Sequence, residues 1–271
     1  MHYVSGHRAA SNAVLVVGIY RADLRNTARA TVAELSRSVE WAVEQRWLAI
    51  GKRRIPPQLA HVTVGRIEAA KPKFVLLNQL LAHTALTEYT YIVVCDDDVA
   101  LPSGFLDDYL RLVCRHDFAL SQPARTHDSY IDHRFVEQDD ALAARRTQFV
   151  EIGPLFTVRR DAASLLLPFD EASPMGWGYD FVWPVVLGAA ALKLGIVDAT
   201  AIGHRLRKTA SQYDYVTAME QMNSYLRRKP HLSKEDAFLV VASHAREPQR
   251  PARGPSRAGL IGQLWRRLAW R

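Results

Sequence analysis

Cysteine is scarce in this chain, and long apolar runs are missing from it. Only two cysteines occur among 271 residues. The pattern places Cys95 in a buried strand and Cys114 in the next helix, so neither indicates a disulfide framework. No apolar run approaches the ~18 residues that cross a membrane. The first ten residues contain two histidines and an arginine but no apolar segment, so they do not resemble a secretory signal. We therefore expect a cytoplasmic protein.

An excess of positive charge is also missing from most of the chain. The formal net charge is +7, but residues 246–271 carry seven arginines against the single acidic residue Glu247. The rest of the chain is therefore close to neutral. The basic isoelectric point therefore comes from the C-terminal segment and not from the rest of the chain. This distribution argues against nucleic-acid binding by the main domain.

Composition divides the chain into three segments. Residues 1–10 are predicted to be a flexible N-terminus, residues 11–245 a single domain, and residues 246–271 a basic linker and a C-terminal amphipathic helix. With 48% hydrophobic residues, the chain is long enough to bury one large α/β core.

The C-terminal helix is predicted from apolar residues at positions 260, 261, 264, 265 and 268, which share one helical face with arginines largely off it. Short basic amphipathic helices that contain tryptophan suit the surface of an anionic membrane. This pattern predicts peripheral attachment to the inner face of the membrane. A helix that packs back on its own domain, or a frayed end, explains the same residues.

Strand patterns alternate with helical patterns through most of the middle segment. Strands are predicted at 13–19, 46–50, 91–95, 118–121, 149–158 and 196–204, and helices at 27–38, 74–86, 105–115 and 180–192. Strands separated by helices indicate an α/β fold with a mostly parallel central sheet flanked by helices. Ligands of such sheets bind at the carboxyl ends of the strands.

Three consecutive carboxylates, Asp96, Asp97 and Asp98, follow the apolar run that begins at Tyr91. Because side chains alternate along a strand, we expect Asp96 and Asp98 to share a side and Asp97 to point away. Two neighbouring carboxylates repel each other unless a cation separates them, and their oxygens suit Mg²⁺ or Mn²⁺. The segment predicts a metal site that holds a diphosphate. The alternative is an acidic loop before a helix capped by Ser103.

Two features of the second half complete the pattern. Residues 173–180 form a turn rich in glycine and tryptophan that opens a helix, and the helix dipole favours a carboxylate such as Asp180 at its start. The last predicted strand ends in His204, and the basic residues Arg205, Arg207 and Lys208 follow it.

The order of these motifs resembles the GT-A glycosyltransferases, which use nucleotide sugars. More narrowly, five segments resemble a family of bacterial and plant domains of unknown function that is regarded as glycosyltransferase-like: Asp96–Asp98, Ser121–Ala124, Tyr130–Arg134, Phe149–Phe156 and Gly176–Asp180. The resemblance implies a GT-A (nucleotide-diphospho-sugar transferase) fold with a Rossmann-like sheet. It also implies an enzyme that transfers a sugar from a nucleotide-diphosphate sugar to a hydroxyl acceptor, in glycan or polysaccharide synthesis.

The resemblance assigns roles to the acidic segment and to His204. Asp98 and His204 are predicted to bind Mn²⁺ or Mg²⁺ directly, and the metal acts as a Lewis acid on the departing diphosphate. Asp96 is predicted to act through the ribose or a metal-bound water. Asp97, the variable middle residue of the Asp-x-Asp motif, is expected to contribute less to donor binding.

Asp180 is the predicted general base, because the attacking hydroxyl must lose its proton. This role favours inversion at the anomeric carbon. By analogy with galactosyltransferase-like enzymes, Trp177 is predicted to stack on a sugar ring, and Gly176 and Gly178 to allow a close backbone approach. The alternative is that Asp180 only caps its helix while Trp177 fills the core.

The remaining candidates are predicted to contact the donor or the acceptor. Lys73 and Asn78 are expected to face the nucleotide from the helix before the metal strand, although a solvated face explains them equally well. Arg205, Arg207 and Lys208 are expected on a loop that neutralises the diphosphate. The predicted contacts to donor sugar or acceptor, a glycan or a lipid-linked molecule, are Gln122, His133, Arg134 and the mid-strand acid Glu151.

Three other functions fit parts of the pattern. A sugar nucleotidyltransferase shares the fold and the metal, but its first strand is usually followed by a glycine-rich loop, and residues 18–23 contain one glycine. A metal-dependent phosphohydrolase would need further ligands at other strand ends. A non-enzymatic nucleotide- or glycan-binding module would tolerate the same sequence.

Overall fold

The computed structural model describes residues 12–208 and 214–246. These residues contain ten β-strands and seven α-helices. The strands are β1 (Ala13–Arg21), β2 (Ala42–Ile50), β3 (Thr63–Ile67), β4 (Tyr91–Asp96), β5 (Val99–Ala100), β6 (Phe118–Arg125), β7 (Leu142–Thr147), β8 (Leu155–Arg159), β9 (Lys193–His204) and β10 (Val240–Ala245). The helices are α1 (Ala28–Leu35), α2 (Lys73–Leu81), α3 (Phe105–Arg115), α4 (Arg160–Leu166), α5 (Tyr179–Ala189), α6 (Tyr215–Leu226) and α7 (Lys234–Ala237). The predicted N-terminal segment and the predicted C-terminal linker and amphipathic helix lie outside these residues. Within the described ranges, no helix is both long and apolar enough to cross a bilayer.

The strands form one mixed sheet in the order β10-β7-β9-β6-β8-β4-β1-β2-β3, with β5 paired beside it to β9. The β3-β2-β1-β4 half is parallel throughout, as predicted. In the other half β6 and β9 are parallel, whereas β8 runs against β4 and β6, and β7 runs against β9 and β10. Most strands therefore point the same way, and β5, β7 and β8 are the departures from a parallel sheet.

Both faces of the central strands are buried. Along β1, Leu15 and Val17 pack on one face in a core shared with α2, α4 and α5, while Val14 and Val16 pack on the other face against α1 and α3. This alternation explains why β1 and β4 appear in the sequence as continuous apolar runs.

Two parts of the predicted strand pattern were wrong. Residues 149–154, predicted as strand, lie outside the sheet, because β8 begins only at Leu155. The strands β3, β5, β7 and β10 were not predicted, and in β7 the arginines interrupt the apolar pattern of the buried face. Arg145 is buried in β7 through a pair with Asp198, in which Nη2 lies 2.8 Å from Oδ1.

The topology brings four strand ends to one edge of the sheet. The strands β1, β4, β6 and β9 run in the same direction, so their carboxyl ends lie together. Their last residues are Arg21, Asp96, Arg125 and His204. All four are ionisable, although the strands that carry them are apolar, which marks this edge as the candidate site.

Candidate functional site

Asp98 and His204 meet at this edge because of the short strand β5. The chain turns at Asp97 and Asp98 after β4 ends, and Val99 then pairs across the strands with His204. Asp98 Oδ2 lies 3.2 Å from His204 Nε2, with both side chains about 10% exposed. Burial lowers the pKa of His204, but the hydrogen bond to Asp98 and its charge outweigh burial and raise that pKa above its usual value.

Asp97 does not point away from Asp98, contrary to the expectation from strand alternation. The alternation ends at Asp96, because Asp97 and Asp98 belong to a turn. Asp97 is 4% exposed, accepts a 2.6 Å hydrogen bond from the backbone N–H of Arg21, and pairs with the guanidinium of Arg207. Burial raises the pKa of Asp97 to about 6, although the positive charge of Arg207 opposes the rise.

Arg207 contacts both acids of the turn. Its Nε lies 3.2 Å from the same Asp98 Oδ2 that faces His204, and its Nη1 donates to the carbonyl oxygen of Arg25. The basic segment after β9 therefore reaches the acidic turn through Arg207. The other two basic residues expected to neutralise the diphosphate do not contact the acidic turn: Arg205 pairs with Asp128 at 2.8 Å on the surface, and Lys208 is exposed.

Asp96 has a different partner from Asp97 and Asp98. Lys73, the first residue of α2, places its ammonium 2.8 Å from an Asp96 carboxylate oxygen and 3.1 Å from the carbonyl oxygen of Ile152. Lys73 thus lies beside the acidic segment, and its predicted contact with a nucleotide stays a prediction. Asn78, five residues further along α2, is engaged elsewhere, because its side chain bonds both backbone groups of Phe169 and the carboxylate of Glu171.

The donor set of Asp98 and His204 fits a divalent cation. Two ligands about 2.1 Å from one octahedral ion and at right angles to each other are about 3 Å apart, which matches the observed separation. His204 Nδ1 lies 3.3 Å from the carbonyl oxygen of Tyr130, a contact that turns Nε2 toward Asp98. Within residues 12–208 and 214–246, no group of three or more His, Cys, Asp or Glu side chains is arranged around one ion position. A cation here would complete its shell with water and phosphate oxygens, as Mg²⁺ usually does.

A second group of ionisable side chains lies beside Asp98 and His204. Arg125 is 1% exposed, and its Nη2 lies 3.0 Å from a carboxylate oxygen of Glu151. Gln122 Oε1 accepts a 2.5 Å hydrogen bond from the backbone N–H of Glu151. Both Gln122 and Arg125 belong to β6, so β6 fixes the loop that carries Glu151. Burial raises the pKa of Glu151 to about 7, although the charge of Arg125 opposes the rise.

Asp180 lies in the first turn of α5 and is 8% exposed. Its Oδ1 is buried and has no hydrogen-bond partner among the described residues. Burial raises the pKa of Asp180 to about 7, and the negative charge of Glu151 adds to that rise. An acid that titrates near neutral pH is suited to take up a proton during a reaction.

The glycines near Asp180 serve packing and backbone geometry. Gly176 has φ +83°, and a Cβ there would lie 2.0 Å from the ring of Phe74. Gly178 has φ +94° and packs against Met222 and Leu226 of α6. Their close backbone approach is therefore to the protein's own core. Trp177 between them is half-buried, with its ring 5.3 Å from that of Tyr215.

His133 and Arg134 have partners other than Asp96, Asp97 and Asp98. His133 packs edge-on against Phe149 and Phe238, and Arg134 is exposed and pairs with Glu137. Two surface hollows, of about 220 and 250 Å³, also lie elsewhere, one beside Trp183 and Tyr225 and the other beside Arg111. The contact of Asp98 with His204 marks the candidate site, because neither hollow is lined by a comparable pair of side chains.

Arg125 was missed by the sequence analysis, although it belongs to the site. The predicted strand stopped at Ser121, but β6 continues through Pro123 to Arg125. The available signal was an arginine directly after the Ser-Gln-Pro-Ala segment, at the end of an apolar run.

The comparisons with known proteins support the fold. No family model matches the chain, and no curated protein matches it. Among solved structures, the crystal structure of GalNAc-T7 with UDP, GalNAc and Mn²⁺ is similar, with a TM-score of 0.53 and 12% sequence identity. The match covers 79% of this chain and 48% of that chain, so the chain spans about half the length of this neighbour.

The chain has a GT-A-like fold. The likeness to GalNAc-T7, a GT-A glycosyltransferase, agrees with the mixed α/β sheet and its flanking helices. The narrower resemblance to a family of bacterial and plant domains stays a prediction.

Proposed function

We propose that the protein is a metal-dependent glycosyltransferase, which moves a sugar from a nucleotide-diphosphate sugar to the hydroxyl of a glycan or lipid-linked acceptor. The observation that carries this proposal is the 3.2 Å pair of Asp98 and His204 at the carboxyl edge of a GT-A-like sheet. The similar structure, GalNAc-T7, holds UDP, GalNAc and Mn²⁺, which supports a nucleotide-sugar donor and a divalent cation. Synthesis of a glycan or polysaccharide is part of the proposal, and so is attachment to a membrane surface through the amphipathic helix that the sequence predicts at the C-terminus.

Asp98 and His204 would hold Mn²⁺ or Mg²⁺, which supplies Lewis-acid stabilisation of the charge on the departing diphosphate. Lys73 and Arg207 carry positive charge beside the acidic turn. Charge-assisted hydrogen bonds from such groups strengthen as the leaving group gains charge. Asp97 orients Arg207 for this task, and Asp96 orients Lys73.

Asp180 is the proposed general base. The acceptor hydroxyl transfers its proton to a carboxylate oxygen of Asp180, and its oxygen forms the new bond to the anomeric carbon. The bond from that carbon to the diphosphate breaks, and the diphosphate leaves with the electron pair. Attack from the side opposite the diphosphate inverts the anomeric carbon.

Nucleotide release from UDP-, GDP- and dTDP-sugars in the presence of Mn²⁺, with and without glycan acceptors, tests the proposal. Asp180→Asn should lower the rate about 10²- to 10⁴-fold while nucleotide binding persists. The matched control is Asp161→Asn, which removes an exposed carboxylate from the first turn of α4. Equal rates in Asp180→Asn and Asp161→Asn would exclude Asp180 as the base.

A further inference from the structure

The backbone of His204 is held on one side by a loop and not by a strand. The strand β6 runs parallel to β9, but it ends at Arg125, whose partner in β9 is Ile202, so this ladder stops two residues before His204. Residues 126–130, here called the 126–130 loop, continue the contact. The backbone N–H of Thr126 donates to the carbonyl oxygen of Ile202 at 3.0 Å. The 126–130 loop therefore takes the place of β6 beside the end of β9.

Two residues of the 126–130 loop bond His204. The backbone N–H of His204 donates to Ser129 Oγ at 3.0 Å, and its carbonyl oxygen accepts from the backbone N–H of Tyr130 at 2.7 Å. The same loop holds the imidazole, because His204 Nδ1 lies 3.3 Å from the carbonyl oxygen of Tyr130. Tyr130 makes its contacts through the backbone, whereas Ser129 makes its contact through a side chain. A substitution can therefore remove the Ser129 contact alone.

The hydroxyl of Ser129 is oriented by neighbouring side chains. Thr126 Oγ1 donates to Asp128 Oδ1 at 2.8 Å, and it also lies 2.8 Å from Ser129 Oγ. Because the single hydroxyl proton of Thr126 is engaged by Asp128, Thr126 Oγ1 accepts the proton of Ser129. The lone pairs of Ser129 Oγ are then left for the backbone N–H of His204. The exposed ion pair of Arg205 with Asp128 contributes little to this arrangement.

We propose that Ser129 is a positioning residue, which holds the end of β9 so that His204 Nε2 faces the cation position at Asp98. The inference rests on the proposed function, in which His204 binds the metal. It adds that Ser129 affects metal binding through a hydrogen bond to the backbone of the ligand. Groups that orient a metal ligand in this way matter for affinity, and their loss weakens metal binding by about 10- to 100-fold.

Calorimetric titration of the full chain with Mn²⁺ tests the proposal. Ser129→Ala should lower the affinity for Mn²⁺ about 10-fold, whereas Ser129→Thr, which keeps the hydroxyl, should bind Mn²⁺ about as tightly as the wild type. The matched control is Ser164→Ala, which removes an exposed hydroxyl that donates to the carbonyl oxygen of Asp161 at 2.7 Å. Equal affinities in Ser129→Ala and Ser164→Ala would overturn the proposal.

A double-mutant cycle separates the positioning of His204 from a general loss of structure. In a chain that already carries His204→Gln, the Ser129→Ala change should have no further effect on the affinity for Mn²⁺. A second loss of about 10-fold in that background would overturn the proposal, because Ser129 would then act independently of His204. If Ser129→Ala does not fold, Thr126→Val removes the hydroxyl that orients Ser129 and should also weaken Mn²⁺ binding. An affinity in Thr126→Val equal to that of the wild type would count against the proposal.

Hydrogen exchange of the His204 backbone amide, followed by NMR spectroscopy without metal or nucleotide, is the second readout. Ser129→Ala should speed this exchange about 5-fold, the factor that corresponds to one hydrogen bond, and Ser164→Ala should not. Unchanged exchange in Ser129→Ala would overturn the proposal. Wild-type protein that binds no Mn²⁺ would contradict the proposed function as well. Wild-type protein that binds Mn²⁺ no more tightly than Ser129→Ala would contradict the role of Ser129 alone.

Discussion

Asp98 Oδ2 and His204 Nε2 lie 3.2 Å apart, although one residue follows β4 and the other ends β9. The pairing of Val99 with His204 across β5 and β9 sets this distance. The contact therefore depends on backbone hydrogen bonds between two strands as well as on the attraction between the side chains. Such a site is preorganised before any ligand binds.

Replacement of His204 should weaken metal binding. We expect His204→Gln to lower the affinity of the protein for Mn²⁺ at least about 10-fold, because one of two protein ligands is lost. Calorimetric titration with Mn²⁺ measures this. The control is His127→Gln, which removes an exposed histidine paired with Glu137 and Asp140. An affinity in His204→Gln that equals that of the control would exclude His204 as a ligand.

Arg207 should affect metal and nucleotide binding in opposite directions. Because Arg207 Nε and a cation on Asp98 would share the oxygen Oδ2, Arg207→Gln should strengthen binding of Mn²⁺ alone. The same variant should weaken binding of a nucleoside diphosphate by about 10-fold, since a charge-assisted hydrogen bond is lost. Arg205→Gln, which removes a nearby exposed arginine paired with Asp128, should change neither affinity. If Arg207→Gln changed both affinities in the same direction, Arg207 and the cation would not compete for Asp98 Oδ2.

Gly176 should tolerate no side chain. Gly176→Ala combines a positive φ with a Cβ placed 2.0 Å from the Phe74 ring, so we expect a loss of at least about 3 kcal/mol in the free energy of unfolding. Gly188→Ala, in the last turn of α5 with nothing within 4 Å of the added Cβ, should gain about 0.5–1 kcal/mol. Urea unfolding compares the two variants. Similar free energies of unfolding for Gly176→Ala and Gly188→Ala would show that the 176–178 turn can rearrange to hold the added methyl group.

Asp180 should make the stability of the protein depend on pH. Its pKa is about 7 in the folded protein, against 3.8 for an aspartate in water, so the folded state binds the proton more tightly. Its contribution to stability is fully present below about pH 4 and is lost as the pH rises through about 7. The loss amounts to roughly 4 kcal/mol at most. Asp180→Asn should flatten this part of the profile of unfolding free energy against pH, and Asp108→Asn, at an exposed site, should not. A wild-type slope that persists in Asp180→Asn would exclude the raised pKa.

The sequence predicted those elements whose burial pattern is simple. The helix α3 has the predicted bounds, Phe105 to Arg115, because its buried and exposed residues alternate with helical period. The resemblance to GT-A glycosyltransferases predicted Asp98 and His204 as ligands of one metal, and the structure has the two side chains in contact. The bounds of α3 follow from a local pattern that burial leaves visible in the sequence, whereas the pairing of Asp98 with His204 followed from the order of the motifs.

The parts that were not predicted involve buried charge or tertiary pairing. Arg125 and Arg145 sit in strands whose apolar pattern they interrupt, and each is stabilised by an acid distant in sequence, Glu151 or Asp198. Asn78 was placed at the nucleotide, but its amide holds the loop at Phe169, a contact that no local pattern indicates. Pairings of this kind are set by the topology of the sheet, which periodicity does not reveal.

The central claim is a metal-dependent site for a nucleotide sugar, and thermal stability tests it without knowledge of the acceptor. The melting temperature of the wild type, Asp98→Asn and the exposed control Asp108→Asn is measured with UDP, GDP, dTDP and CMP, with and without Mn²⁺. Ligand at about 100 times its dissociation constant adds roughly 2.7 kcal/mol to the free energy of unfolding. We predict stabilisation by one nucleotide that requires Mn²⁺, persists in Asp108→Asn and disappears in Asp98→Asn. Folded wild-type protein that no nucleotide stabilises, with or without Mn²⁺, would contradict the claim.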